Sequence, residues 1–91
     1  MARFEIASAD IAALGVQTTN SDVFFQMGID RSIGRNGEID MIAAHMWFNL
    51  AAREGNTDAV RYRQEVAAEM STFEIAEAQR QAREWIRAHC H

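Results

Sequence analysis

Hydrophobic residues recur every three or four positions along most of this chain, which is the spacing of an amphipathic helix. The clearest such stripe lies within residues 41–54, where large aromatic residues are interspersed with alanine. Alanine lets a neighbouring helix approach closely, and the aromatic rings fill the space at its flanks. This mixture is typical of stacked helical hairpins. The stripe consists of Ala44, Trp47, Phe48, Ala51 and Ala52.

Capping residues and glycines divide the pattern into about five predicted helices. The strongest boundary is Ser71-Thr72-Phe73-Glu74, a capping box in which the side chains of Ser71 and Glu74 each bind the other's backbone amide. The other expected N-caps are Ser8, Asn20 or Ser21, Asp40, and Asn56 or Thr57. The predicted helices are a short one between Ser8 and Gly15 and longer ones at about 22–33, 41–54, 58–70 and 72–88.

Short connections between these helices predict an all-α fold of antiparallel helical hairpins, in a single domain of residues 1–91. An N-terminal segment with the short helix, 1–21, is followed by a helical hairpin, 22–58, and by a C-terminal pair of capping helices, 59–91. The composition agrees, because the 91 residues include no proline and only five glycines. A chain of this length can bury one modest core.

Residues 22–58 carry a series of landmarks at fixed spacing. The first helix has a hydrophobic residue followed by glycine, and the second holds alanines, a tryptophan-aromatic pair and a closing glycine. In order they are Met27-Gly28, Asp40, Ala44, Trp47-Phe48, Ala51-Ala52 and Gly55, with Ala59 at the start of the next unit. This stretch resembles one unit of the Sel-one-like repeat, a tetratricopeptide-like helical repeat. The resemblance implies a scaffold for protein–protein contact, frequently in bacterial regulation or envelope-related pathways.

After residue 59 the chain departs from the repeat pattern. Arg63-Gln64 stands where a hydrophobic residue and a glycine are expected, and no glycine-rich connector follows. The stretch from Arg63 to Trp85 instead looks like the closing segment of many bacterial repeat proteins. The resemblance is therefore to a single repeat with a C-terminal helical cap, which lacks the long concave groove of a full array.

The net charge of −4 argues against nonspecific binding to nucleic acid, because such binding depends on cations that neutralise phosphates. Neither a signal peptide nor an apolar run of membrane-spanning length is visible, so no membrane partner is predicted. The single cysteine, Cys90, excludes an intramolecular disulfide framework and fits a reducing compartment. We therefore expect a cytoplasmic protein.

Several residues are candidates for the core. Glycine within a helix costs about 1 kcal/mol relative to alanine, so Gly28 is expected where another backbone comes too close for a side chain. Arg63 lies beside the apolar face of its helix, where a structural ion pair is favoured and a clamp on a partner's carboxylate is the alternative. The aromatic residues could instead form an exposed recognition patch, but their spacing favours burial. The predicted core comprises Gly28, Ala44, Trp47, Phe48, Ala51, Ala52, Arg63 and Trp85.

The exposed side of the fourth predicted helix is the candidate partner-binding surface. Its residues face away from the apolar stripe of that helix, and they are Arg61, Gln64, Glu65 and Glu69. A row of arginines on the last helix could hold an acidic or phosphorylated ligand, but ordinary pairing with nearby glutamates is the favoured interpretation. These arginines are Arg80, Arg83 and Arg87.

The chain ends with His89-Cys90-His91, whose imidazole and thiolate groups are good ligands for zinc or copper. Three adjacent residues at a fraying helix end do not form a closed tetrahedral site, so solvent exposure or dimerisation through Cys90 is expected instead. His45 lies beside the core stripe without a serine, cysteine or paired carboxylate to work with. No catalytic residue, metal or cofactor is predicted.

These observations predict a small helical module that binds another protein and is not an enzyme. The alternative is a small DNA-associated or ligand-responsive regulator that uses a helix pair, although the acidic balance disfavours a recognition helix. A stack of this size could leave an apolar edge exposed, so a homodimer is a further expectation.

Overall fold

The computed structural model describes residues 19–35 and 37–89, in which helices are joined by short turns and no strand occurs. The predicted all-α fold class is confirmed, with four helices in these ranges where about five were predicted for the whole chain. The short helix predicted between Ser8 and Gly15 lies outside the described residues. The four helices are α1 (Asn20–Ile33), α2 (Met41–Arg53), α3 (Thr57–Ala67) and α4 (Thr72–His89).

The central helix is α2, and each of the other three helices packs against it. Its buried residues point in more than one direction, because 100° separates successive side chains around a helix. Ala44, Phe48 and Ala51 share one face, whereas Met46 and Leu50 lie on another, and all five are buried. Phe48 and Leu50 are the largest side chains that are fully enclosed. The core therefore surrounds α2 and does not lie along one side of it.

One group of aromatic rings joins α1, α2 and α4. Phe24 of α1 stacks on Trp47 of α2 at a centroid distance of 5.6 Å and meets Trp85 of α4 edge-on at 5.1 Å. The two tryptophans contact each other at 6.0 Å. Such pairs contribute about 0.5–1.5 kcal/mol each beyond the area that they bury. Both indoles are half-buried and pack against the core, so they close its edge.

A second group of rings joins α1, α2 and α3. Phe25 meets Tyr62 edge-on at 5.0 Å, and the ring of Phe48 lies 5.7 Å from Phe25 and 5.6 Å from Tyr62. Phe48 is completely buried at the centre of this group, whereas Phe25 and Tyr62 are only partly buried. The rings fix the positions of the three helices relative to one another.

Gly28 is buried in α1 beneath the ring of Phe48. A Cβ built on Gly28 would lie 2.5 Å from both Cδ1 and Cε1 of that ring, which is closer than atoms can approach. The sequence predicted a neighbouring backbone at this point. The neighbour is instead the Phe48 side chain of α2, whose ring fills the space beside Gly28.

Most helix caps are those that the sequence predicted. Asp40 and Asn56 each accept a hydrogen bond from the backbone amide three residues further on, at 2.9 Å and 3.0 Å. Both bonds of the capping box are present before α4: the Glu74 amide donates to the Ser71 hydroxyl at 3.1 Å, and the Ser71 amide donates to the Glu74 carboxylate at 2.8 Å. The ends of the helices are therefore determined by local side-chain chemistry.

The predicted cap of α1 was wrong. Thr19 caps this helix, in place of Asn20 or Ser21, and its hydroxyl oxygen accepts from the Asp22 amide at 3.2 Å. The Asp22 carboxylate accepts from the Thr19 amide at 3.4 Å in return. This reciprocal pair favours Thr19, because it satisfies two amides where a lone asparagine or serine cap satisfies one.

Two further details differ from the sequence prediction. The helix predicted to run to residue 70 ends at Ala67, because the amides of Glu69 and Met70 bond three residues back in tight turns. In α1 the sequence pattern predicts a stripe of Val23, Phe24 and Met27 with Ile33 at its far end. Phe24 is buried and Met27 is partly buried, whereas Val23 is 44% and Ile33 56% exposed. The buried face of α1 is therefore narrower than predicted and is centred on Phe24 and Gly28.

Candidate functional site

A groove opens beside α3, between the C-terminal end of α1 and the N-terminal end of α2. It has a volume of about 210 Å³, and we call it the α3 groove. Its floor and walls are largely apolar, and two carboxylates lie on the α3 side. The lining residues are Ser32, Met41, Phe48, Tyr62, Glu65, Val66 and Glu69.

The α3 side of the groove follows from helical spacing. Glu65 and Val66 follow Tyr62 by three and four positions, and Glu69 follows them by four and three. All four therefore lie along one side of α3 and the turn after it. Val66 points into the core and is buried, and the two glutamates are exposed at the rim. The groove thus joins an apolar interior to an acidic edge.

Two of the four predicted binding residues line this groove. All four are exposed, as expected for a surface away from the core, but Glu65 and Glu69 border the apolar groove, which the sequence prediction did not foresee. Arg61 and Gln64 lie outside the lining. The predicted surface consists of residues of α3 and of the turn after it, and the sequence did not locate the groove, because the rest of its lining comes from α1 and α2. The role of this surface in binding stays a prediction.

Arg61 interacts with two residues of the groove. Its guanidinium lies 3.4 Å from the Glu65 carboxylate, and its central carbon lies 4.7 Å from the centroid of the Tyr62 ring. Both charged side chains are about 60% exposed, so water weakens their attraction. The arrangement nevertheless shows how a guanidinium fits against this combination of carboxylate and aromatic ring.

Arg63 does not form the ion pair that the sequence predicted. Its Nη1 donates a hydrogen bond to the side-chain oxygen of Asn49 on α2 at 2.7 Å, and no carboxylate lies within ion-pair distance among the described residues. α2 presents an amide at this point, and a half-buried guanidinium remains partly hydrated. A neutral acceptor therefore satisfies it without a full counter-charge.

His45 is the one polar residue in the described core, with 3% of its surface exposed. Its Nδ1 atom is buried without a hydrogen-bond partner among the described residues. Burial lowers the pKa of the imidazole below its ordinary value of 6.5, and the positive charge of Arg63 lowers this pKa further. The sequence placed His45 beside the stripe, but the structure encloses it because helices pack against α2 on several sides.

Arginines on α4 pair with glutamates of the same helix. Arg80 donates two hydrogen bonds to the Glu77 carboxylate, at 3.0 Å and 2.6 Å, and Arg87 forms an ion pair with Glu84 at 2.9 Å. The bonds from Arg80 and then Gln81 lower the pKa of Glu77 to about 2, and the same pair raises the pKa of Arg80. The predicted surface pairing is confirmed for Arg80 and Arg87. Arg83 is exposed on the same helix.

A second, wider depression lies at the connection between α1 and α2. Its volume is about 570 Å³, and Ile39 on its lining is 60% exposed. Asp40 is engaged as the cap of α2, and Arg31 offsets part of the negative charge. This depression lacks the aromatic floor of the α3 groove.

The structure brings together no metal-binding group in its described ranges, where no three His, Cys, Asp or Glu residues are suitably clustered. His89 stacks on Trp85 at 3.9 Å, and its Nδ1 lies 2.8 Å from the carbonyl oxygen of the same residue. Cys90 and His91 lie outside the described residues. The predicted absence of a metal and of a cofactor therefore stays a prediction.

Comparison with known proteins gives no match to a family model, a curated protein or a solved structure. The likeness to a Sel-one-like repeat accordingly rests on the sequence landmarks alone. Within the part of the chain that is described, no helix has the length and apolarity needed to cross a lipid bilayer.

Proposed function

We propose that this chain is a small helical module, active in the cytoplasm, that binds another protein and has no catalytic activity of its own. The observation that carries the proposal is the α3 groove, which combines an apolar floor with a charged rim. Protein interfaces combine an apolar centre with a polar rim in the same way.

The rigidity of the surrounding helices supports the proposal. The packed rings of Phe25, Phe48 and Tyr62 join α1, α2 and α3, and Phe48 and Tyr62 also belong to the groove lining. A surface held in place before binding loses less conformational entropy when a partner arrives. The groove is therefore better suited to recognition than an equally charged surface on a loop.

A relationship to the Sel-one-like repeats is part of the proposal. The contact between Gly28 and Phe48 supports it, because two of the sequence landmarks meet each other across the α1–α2 hairpin. In that case residues 22–58 form the repeat-like hairpin, and α4, which packs on α2, is the cap.

Site-specific photo-crosslinking in the native host tests the proposal. A photoreactive amino acid at Gln64 stands on the exposed side of α3 without altering the groove lining, and the same amino acid at Gln79, exposed on α4, is the control. We expect one protein to be crosslinked reproducibly from position 64 and not from position 79. The absence of any protein adduct from α3 would overturn the proposal, and a salt-dependent mobility shift with DNA would favour the regulator alternative.

A further inference from the structure

We propose that the α3 groove binds an arginine side chain presented by a basic segment of the partner protein. The guanidinium lies between Glu65 and Glu69, and the aliphatic part of the side chain rests on the apolar floor. This inference rests on the proposed function and adds the chemical identity of the bound group.

The volume of the groove limits what can enter it. The groove is small and open to solvent, with a volume of about 210 Å³. A single long side chain fits this volume, so the partner inserts a side chain and keeps its backbone outside.

The charge of the groove selects a cation. Glu65 at the end of α3 and Glu69 in the turn after it lie at the same rim, and the lining contains no basic residue to neutralise them. Glu65 has only a long, exposed contact with Arg61, and no ion pair involves Glu69 among the described residues. The whole chain carries a charge of −4, which adds a longer-range attraction for basic segments.

The floor of the groove selects a cation with an apolar stem. Met41 and Tyr62, which are both partly buried, offer apolar surface beside the carboxylates, and the buried side chains of Phe48 and Val66 lie behind them. Arginine and lysine both bury such stems while their charged ends remain at the rim. A small inorganic cation would gain nothing from this apolar surface.

The planar guanidinium distinguishes arginine from lysine at this site. Arg61 lies outside the groove lining, but its guanidinium contacts the Glu65 carboxylate and lies over the Tyr62 ring, so both of these groups accept a guanidinium. A guanidinium can bind a carboxylate through two parallel hydrogen bonds and stack on an aromatic face, whereas an ammonium group is a compact and strongly hydrated charge. The surroundings of the groove therefore favour arginine.

An NMR titration with three small probes tests the inference. The probes are Nα-acetyl-arginine amide, the matching lysine compound, and the matching citrulline compound, which keeps the shape of arginine without its charge. We expect saturable shifts with the arginine probe at the amides of Tyr62, Glu65 and Val66, weaker binding of lysine, and no binding of citrulline. Equal binding of citrulline would overturn the inference, and equal binding of lysine would overturn the assignment to arginine.

Charge-removing variants identify the carboxylates. Glu65→Gln and Glu69→Gln should each weaken binding of the arginine probe about two- to fivefold, the range expected for an exposed ion pair. Glu84→Gln, which removes the same charge from α4, should leave binding unchanged. Equal weakening by Glu84→Gln and Glu69→Gln would show that only net charge matters, and would overturn the site.

The two proposals fail in different ways. A partner crosslinked from position 64, together with no saturable shift by the arginine probe in the millimolar range, would leave the interaction module standing and overturn the arginine site. Binding of the probe without any crosslinked protein would overturn the proposed function and leave the cation site. Unchanged melting temperatures of the glutamine variants establish that each outcome reflects binding and not unfolding.

Discussion

At position 28 even one additional carbon has no room beside Phe48. We predict that Gly28→Ala lowers the free energy of unfolding by about 1–3 kcal/mol, the usual cost of overpacking a core, although alanine is the better helix former by about 1 kcal/mol. The buried ring cannot rotate away without disturbing Phe25 and Tyr62, which contact it. Urea denaturation of the two proteins measures the difference.

A double-mutant cycle separates the steric effect from other consequences of alanine. Phe48→Leu replaces the ring that blocks the Cβ, so Gly28→Ala should cost less in that background than in the natural one. Equal costs in both backgrounds would show that the contact between these residues does not determine the choice of glycine.

A second prediction at the residue scale concerns His45. Because burial holds its pKa below the ordinary value of 6.5, the unfolded chain binds more protons than the folded one as the pH falls through this value. The free energy of unfolding should therefore decrease from pH 7 toward pH 5.5, with a limiting slope of about 1.4 kcal/mol per pH unit. Denaturation at a series of pH values measures this slope.

Two histidine variants identify the group responsible. His45→Gln removes the buried imidazole, so the slope between pH 7 and pH 5.5 should become shallower, whatever the variant's overall stability. His89→Gln changes an exposed histidine at the end of α4 and should leave the slope as it is. If both variants retained the natural slope, His45 would not be its source.

At the scale of helices, α4 is held mainly by one neighbour. It packs on α2, where Ala78 and Ala82 are buried, and Trp85 extends the contact to Phe24 of α1. We predict that Trp85→Ala destabilises the docking of α4 by about 3 kcal/mol, near the lower end for loss of a large aromatic side chain, because the indole is only half-buried. In this variant the backbone amides of α4 should exchange faster than in the natural protein, and those of α1 and α2 should be less affected.

The control for that experiment lies on the same helix. Arg83→Ala changes an exposed residue of α4 and should leave its exchange unchanged. An equal acceleration in all four helices on Trp85→Ala would mean that α4 unfolds only together with the rest of the protein.

The starts of α2 and α4 could be predicted because capping acts over three residues. Ser71 and Glu74 identify the start of α4 from the sequence alone, and Asp40 does the same for α2. The buried face of α1 was less accessible to the same reasoning. Val23, Phe24 and Met27 all belong to the predicted stripe, and a glycine contributes no hydrophobic signal, so the pattern did not single out Phe24 and Gly28 as the buried residues.

The groove could not be predicted because its parts are distant along the chain. Glu65 lies on α3 and Glu69 in the turn after it, but Ser32 and Met41 belong to two other helices, and their meeting depends on how α1, α2 and α3 are oriented. The hydrogen bond from Arg63 to Asn49 joins residues 14 positions apart, and it too depends on how two helices are oriented. Sequence patterns indicate which side of a helix is exposed, but they do not give the angle at which two helices cross.

At the scale of the whole molecule, large apolar side chains are exposed on several elements. Phe73, in the first turn of α4, is 85% exposed and is the most accessible large hydrophobic side chain in the described structure. The homodimer expected from the sequence would therefore use Phe73. We predict that Phe73→Ser shifts sedimentation toward the monomer with a change in unfolding free energy within about 0.5 kcal/mol.

The comparison for that experiment is Val60→Ser, which alters a side chain on α3 that is only 36% exposed. It should leave self-association as it is. Identical sedimentation of the natural protein and the Phe73→Ser variant across a range of concentrations would contradict this assignment.

The central position of α2 also has a consequence for the order in which the structure forms. α1 and α3 are its neighbours along the chain, so both can pack on it through contacts that close short loops, and local contacts of this kind favour rapid folding. α4 follows α3 along the chain, so its packing on α2 closes a longer loop that contains α3. During synthesis on the ribosome, we therefore expect the first three helices to assemble while the last is still emerging, and its arrival to complete the core.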